Sequence, residues 1–519
     1  MKIGIDGTRA SDDERATHRA ARERIVVTGA LILETPANFG NGDADALTDM
    51  PLLEDELDRS PLLTGTSIAG ALRNYLRERE RGFGDSGSGD LEVALFGARS
   101  GDDGGWQSPL IAHDARGFTK EFELRDGVQI DLKTRTAADE KKFDYRLLAP
   151  GSRFELRFEL LVGQAPDGDF AAHRRQLRQA LATALDGLAR GEITLGARKR
   201  RGFGRCRVDN WEVREYKLTE IAGLLAWLAE GRGDHWAEPA PAPPVRSASI
   251  TEALGADVTV AAIDRRKQFT LTATFGLDGS LLVRSGCGEE DLGADVAHLH
   301  SFGEDQDRRR PVIPGTSWAG ALRSRATQII NTLQADSESG RGLIEDIFGP
   351  AEIKSPRNNE IRQPARASRL LVTESVIEHG RSFKQSRVKL DRFTGGAFES
   401  ALFEEGPIFG LPETCVKLHL SLRAPGAADE SVPDSDRRKW HAEIGLLLLA
   451  LKDLWTGDLA LGGAVGVGRG RLAGREATFN WEGRDWRLES EDNGRLKITG
   501  DQVALQNFVN ALQEVLSRA

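Results

Sequence analysis

The sequence predicts an α+β protein made of two tandem ferredoxin-like domains with insertions. Three observations carry this. The phrase Gly65-Thr66-Ser67-Ile68-Ala69-Gly70-Ala71-Leu72-Arg73 recurs as Gly315-Thr316-Ser317-Trp318-Ala319-Gly320-Ala321-Leu322-Arg323, 250 residues further on. Self-similarity at a fixed spacing marks an internal duplication. Around each copy the pattern runs strand, turn and helix, strand, insertion, strand, helix, strand, an order that suits a β-α-β-β-α-β core. Between the copies, Ala237 to Pro244 is proline-rich and reads as a stiff, extended linker. The expected organisation is a flexible polar arm over 1–23, a first domain over 24–231, a linker over 232–264 and a second domain over 265–519.

Taken in order, Arg24 to Leu33 is a β-branched, apolar run and reads as the first strand. A Gly/Asp loop from Asn38 to Asp49 leads to the first turn and a helix over 65–81. A short helix ends at Phe96-Gly97, and a strand follows from Ser108 to Asp114. Arg153 to Leu161 alternates cleanly, the mark of a half-buried strand. Arg174 to Arg190 is an amphipathic helix, and Gly191 to Val208 holds a basic glycine loop. The second half repeats the series. It has a strand at Gln268–Phe275, a Gly/Asp loop at Ser285–Asp307, and a helix from Gly315. Then come Phe348-Gly349, a strand at Ser368–Thr373, an alternating strand at Val416–Leu422, a helix at Ala442–Trp455 and a glycine loop at Gly462–Gly470. Val388-Lys-Leu-Asp391 matches Val128-Gln-Ile-Asp131, with Ala and Phe at the same offsets beyond each Asp.

Composition bounds the function. No apolar run is long enough to span a membrane, and the N-terminus lacks the apolar core of a signal sequence. Cys206, Cys287 and Cys415 form no Cys-x-x-Cys pair, which argues against zinc clusters and a disulfide framework and fits a cytoplasmic protein. The net charge is −10, yet cations cluster at Arg198-Lys199-Arg200-Arg201 and Arg308-Arg309-Arg310. Screening confines charge effects to roughly 8–10 Å, so local clusters decide phosphate binding.

Each repeated turn feeds a helix. Gly65, Thr66 and Ser67, like Gly315, Thr316 and Ser317, offer amides and hydroxyls at a helix start, a setting that suits a phosphate. Arg73 and Arg323 follow at the same offset. The alternative is a tightly packed helix start with small residues. Arg200 and Arg201 precede Gly202-Phe203-Gly204, where small residues allow close approach of RNA. Arg469 and Arg471 read as the second-half counterparts. His298 and His300 stand near Asp295 and could complete a metal set, or be a solvated pair. No P-loop or nucleophile elbow is present, and Gly466-Val-Gly-Arg-Gly470 lacks the βαβ context of a dinucleotide site.

Together the Gly-Thr-Ser turns, the Phe-Gly pairs, Asp391-Arg-Phe-Thr-Gly-Gly-Ala397 and the late glycine loops (Gly202-Phe203-Gly204 and Gly466-Val467-Gly468) resemble the RAMP superfamily. Within it, the chain is similar to the backbone subunits of type III CRISPR effector complexes, fused as a pair in the manner of the D-like variants. The resemblance covers about residues 24–215 and 265–475. It implies two RRM-like domains that carry guide RNA (crRNA), act on the target RNA paired with that guide and join other CRISPR effector subunits. It implies a thumb hairpin in each half, containing Thr134 and Thr136 in the first and Phe393 and Thr394 in the second. Phe393 is either a wedge between bases or part of the core.

The resemblance further implies that a loop aspartate in each half cleaves target RNA with Mg2+ or another divalent metal. Asp49, in Thr48-Asp49-Met50-Pro51-Leu52, matches in the first half, with Asp43 and Asp45 as alternates. Asp295, in Gly293-Ala294-Asp295-Val296, matches in the second, with Asp291 as alternate. No proline follows Asp295, and an insertion over 301–310 precedes the second turn. Two other readings stay open: a non-catalytic guide-RNA scaffold with Asx-turn aspartates, and a guide-processing endoribonuclease. No His recurs at matching places in the two halves, which counts against the latter.

Overall fold

The computed structural model describes residues 21–42, 49–97, 107–131, 134, 136–163, 168–229, 243–285, 294–333, 338–350, 366–426, 433–491 and 496–517. Residues 1–20 of the expected N-terminal arm, with Asp43, Asp45 and Asp291, lie outside the described residues; the arm's last three, 21–23, belong to the first strand.

In the first half, β1 (Ala21–Leu33) is followed by α1 (Gly65–Arg81) and α2 (Asp90–Phe96). Next come β2 (Leu110–Ala112) and β3 (Ala115–Phe118), then a hairpin of β4 (Phe122–Ile130) and β5 (Ala137–Leu148). β6 (Arg153–Gly163), α3 (Phe170–Ala189) and β7 (Cys206–Lys217) complete the unit. β1 lies between β6 and β7, antiparallel to both, and β2 adds outside β6. That is the ferredoxin-like order.

Why these residues do so is plain in α1. Ile68, Leu72, Tyr75 and Leu76 fall on one face and are buried. The Thr64 side chain accepts from the Ser67 amide at 3.3 Å, capping the helix start. Gly82, at φ 88°, ends it. On β6 the alternation read from the sequence buries Phe154, Leu156 and Phe158.

The next segment departs from expectation. After α4 (Ile221–Ala229), β8 (Val245–Ser247) pairs with β7, and α5 (Ile250–Leu254) buries Ile250, Ala253 and Leu254 in the first core. The described part of the expected linker therefore belongs to the first domain. The apolar spacing of Ile250, Ala253 and Leu254 is helical, and the prolines before it masked that signal.

The second half repeats the plan: β9 (Lys267–Asp278), α6 (Gly315–Leu333), α7 (Glu338–Phe348), β10 (Leu370–Val372) and β11 (Ser375–Glu378). A hairpin of β12 (Gln385–Leu390) and β13 (Ala397–Gly406) follows, then β14 (Cys415–Ala424), α8 (Asp434–Trp455) and β15 (Arg471–Trp481). β9 sits between β14 and β15. Beyond the repeat, β16 (Arg484–Ser490) and β17 (Leu496–Thr499) widen the sheet, and α9 (Gln502–Ser517) packs Phe508 and Leu512 into the second core.

The halves are joined by buried polar contacts. Arg125 bonds Glu123 within its own half and Glu374 across the seam. Gln306 donates to the Pro150 carbonyl at 2.7 Å and accepts from the Lys120 amide at 2.7 Å. Among the described residues no helix is long and apolar enough to cross a membrane.

Candidate RNA interface and cleavage centres

The two aspartates occupy the same place in the two halves. Leu53 donates to the Phe39 carbonyl at 2.7 Å, and Leu299 donates to the Val283 carbonyl at 2.8 Å, which fixes the register of both loops. In that register Asp49 Oδ2 accepts from the Asp144 amide at 2.9 Å, and Asp295 Oδ2 accepts from the Glu404 amide at 2.8 Å. Asp144 and Glu404 lie on the returning strands of the hairpins, each one residue past Phe143 and Phe403. Both aspartates are exposed.

The surroundings differ. In the first half, Asp144 Oδ1 accepts from the Asp49 amide at 3.0 Å, so two carboxylates stand side by side. In the second half, Glu404 is ion-paired with Lys384. Mg2+ takes one or two carboxylates, keeps several waters and shares substrate phosphates. The Asp49 carboxylate fits that chemistry, with Asp144 fixed beside it by the reciprocal bonds. Asp295 offers one carboxylate, since its neighbour is already neutralised. Among the described residues no group of three His, Cys, Asp or Glu side chains could hold a metal ion.

His298 does not join a metal set, nor is it solvated. It is fully buried, with Nδ1 accepting from the Val283 amide at 3.1 Å and Nε2 on the Val312 carbonyl at 3.0 Å. Burial, with His300 nearby, pushes its pKa down to about 3.

The hairpin tips are also alike. Asp131 Oδ1 accepts from the Thr134 amide at 2.9 Å, and Asp391 Oδ1 accepts from the Phe393 amide at 2.8 Å. Thr134 and Thr136 share a hydroxyl bond of 2.8 Å, and the Thr394 hydroxyl accepts from the Gly396 amide at 3.3 Å. Phe393 is 98% exposed, so it is no core residue.

The cations converge on the seam. Arg198 (φ 54°), a 3-10 turn over Lys199–Arg201, and Gly202 (φ 86°) form a tight loop pressed on the second half. A Cβ on Gly202 would lie 2.8 Å from the Glu374 amide nitrogen, and one on Gly315 would lie 2.3 Å from the Arg201 carbonyl oxygen. Arg201 and Arg323 therefore come from different halves to one spot. Burial, then Arg323, Arg198 and Arg200, lowers the Arg201 pKa to about 10. Burial likewise lowers Arg198, Lys199, Arg200 and Arg323. Arg198 lies over the Phe143 and Tyr145 rings, 4.5 and 4.9 Å from their centroids. Crowded cations shielded from water are costly without an anion, and a polyphosphate chain is the anion such a row suits.

Other expected contacts are spoken for. Arg73 bonds Glu92 at 2.9 Å and the Gly97 carbonyl at 3.1 Å, tying α1 to the end of α2. The Gly65 amide donates to Asp114 at 2.7 Å, so a carboxylate already occupies that helix start. Thr66 and Ser67 are exposed, and their hydroxyls bond with Thr64. Thr316 and Ser317 are half-buried beside the seam.

Arg469 is 3% exposed and holds Glu405 and Gln385, each at 2.8 Å, at the base of the second hairpin. The expected loop correspondence shifts accordingly. Ala464 (φ 59°) and Gly468 (φ 88°) repeat the conformations of Arg198 and Gly202. Val465, Gly466 and Val467 thus stand where Lys199, Arg200 and Arg201 do, and Arg469 takes the place of the buried Phe203. Arg471 is exposed and lies opposite Asp278 in the strand ladder. Gly204 and Gly470 both turn at positive φ. Asn38 and Asp144, which border Asp49, are residues the sequence did not single out. Only the pairing of loop with hairpin brings them there.

Paired ferredoxin-like domains with matching loops and hairpins define the class of fold. A family model, that of the RAMP superfamily, matches residues 31–207 and 286–473. The chain belongs to the RAMP superfamily, as a CRISPR-associated RNA-binding protein carrying two copies of the domain. No individual curated protein matches it.

Proposed function

We propose that the chain is a crRNA-binding backbone subunit of a type III, D-like CRISPR effector, and that it cleaves complementary target RNA beside each hairpin. The observation that carries this reading is the equivalence of Asp49 and Asp295, each bonded to one backbone amide of its hairpin.

Guide RNA would cross the seam, its phosphates held by Arg198, Arg200, Arg201 and Arg323. The exposed hairpins, with Phe393 at one tip, would interrupt guide–target pairing and splay the target strand. Cleavage requires the 2′-OH in line with the scissile phosphate, and positioning supplies much of the rate. One carboxylate oxygen of Asp49 lies beyond its amide bond among the described residues, placed to accept the hydroxyl proton or to hold Mg2+. Bound Mg2+ would stabilise charge on the phosphate and leaving oxygen.

Partner subunits would dock by the geometry of the internal seam. Val465 and Val467, 44% and 62% exposed, present the same turn outward at the far end. The exposed start of α1 presents the acceptor at the other. A cytoplasmic location agrees with this role.

The test uses the assembled complex, end-labelled target RNA and Mg2+. Asp49→Ala and Asp295→Ala should each abolish one cut and leave assembly intact. Unchanged cuts in both variants and the double variant would make the chain a scaffold.

A further inference from the structure

We propose that Asn38 and Asp144 are positioning residues that clip the Asp49 loop to the returning strand of the first hairpin, and that the second half works without this clip. The proposal rests on the reading of Asp49 as the cleaving residue. Asn38 is 2% exposed, and its Nδ2 donates both to the Met50 carbonyl, at 3.2 Å, and to the Arg146 carbonyl, at 2.9 Å. One side chain thus joins the residue after Asp49 to the strand that carries Asp144. The reciprocal Asp49–Asp144 bonds, at 2.9 and 3.0 Å, close the clip from the solvent side.

The second half identifies what is special here. The Asn38 carbonyl accepts from Ala197 at 2.9 Å, and the Leu282 carbonyl accepts from Gly463 at 2.7 Å, each donor just before its matching left-handed residue. Leu282 is therefore the counterpart of Asn38, and its side chain has no donor. The counterpart of Asp144, Glu404, gives its carboxylate to Lys384.

A buried amide where the repeat tolerates leucine costs stability unless its bonds matter. Its two bonds make loop and hairpin one body. A target strand that displaces the hairpin therefore carries Asp49 with it, keeping the carboxylate aimed. Misplacement by about 1 Å can cost about 10²-fold in rate.

Single-turnover cleavage by the assembled complex reads this directly, with the Asp295-dependent cut and target affinity as internal controls. Asn38→Leu and Asp144→Ala should slow the Asp49-dependent cut by about 10- to 100-fold and leave the other cut and target Kd unchanged. Asp144→Asn keeps an oxygen acceptor and should restore most of the rate. In Asn38→Leu, amide exchange at Asp49–Met50 and at Asp144–Arg146 should accelerate together. Wild-type rates in both Asn38→Leu and Asp144→Ala, equal slowing of both cuts, or an Asp144→Asn variant as slow as Asp144→Ala would overturn the clip. If Asp49→Ala changes neither cut, the cleavage reading falls instead, and the exchange experiment still tests the clip.

Discussion

Arg73 and Arg323 are the same residue of the same repeated phrase, yet their charges are spent differently. Arg73 is neutralised by Glu92, whereas Arg323 is half-buried beside Arg201 with no carboxylate at ion-pair distance among the described residues. Arg201→Gln should reduce the salt dependence of guide-RNA binding by about 0.7 in log–log slope, as expected for one lost single-strand phosphate contact. Arg73→Gln should leave that slope alone and lower the melting temperature. Titration over a range of KCl concentrations separates the two.

His298 makes a second prediction at this scale. Its folded pKa lies near 3, below the ordinary value of 6.5, so the unfolded chain takes up the proton first. Its stabilising share is complete above pH 6.5 and is lost as pH falls toward 3, by about 1.4 kcal/mol per unit. Denaturant unfolding at pH 7 and pH 5 should show a larger loss for wild type than for His298→Gln.

Among elements, the repeated helix starts were legible because their glycines, caps and apolar spacing are local signals. Which glycine does what was not legible. Gly315 meets the Arg201 and Val372 carbonyls, while Gly320, five residues on, has open space around its Cβ position. Gly315→Ala should destabilise by about 1–3 kcal/mol, as overpacking does. Gly320→Ala should stabilise by up to about 1 kcal/mol, the helical preference of alanine over glycine. Thermal denaturation of the pair decides it. The strands were legible for the same local reason: alternation on β6 and β14 needs only neighbours in sequence. The loop correspondence failed because Gly-x-Gly occurs at two registers in the second half, and only backbone conformation chooses Gly468. The hydrogen-bond partners of Asp49 lie 95 residues away, so nothing near the loop announces them.

At the scale of the molecule, the two domains and their order were written in the duplication, while the reach of the first domain past its linker was not. The seam between the halves is the place where the chain differs from a simple pair. Its turn is Lys199-Arg200-Arg201, crowded against Arg323; the equivalent turn at the outer end is Val465-Gly466-Val467. The seam sets Arg201 beside Arg323, like against like, while the Arg125–Glu374 and Arg423–Glu78 pairs around them hold the halves together. A covalent tether adds to those pairs by holding the surfaces at high effective concentration. Joining the domains in one chain therefore makes room for like charges inside the contact, whereas the Val465-Gly466-Val467 turn carries none. Fusion is thus what allows cations to be concentrated at this junction.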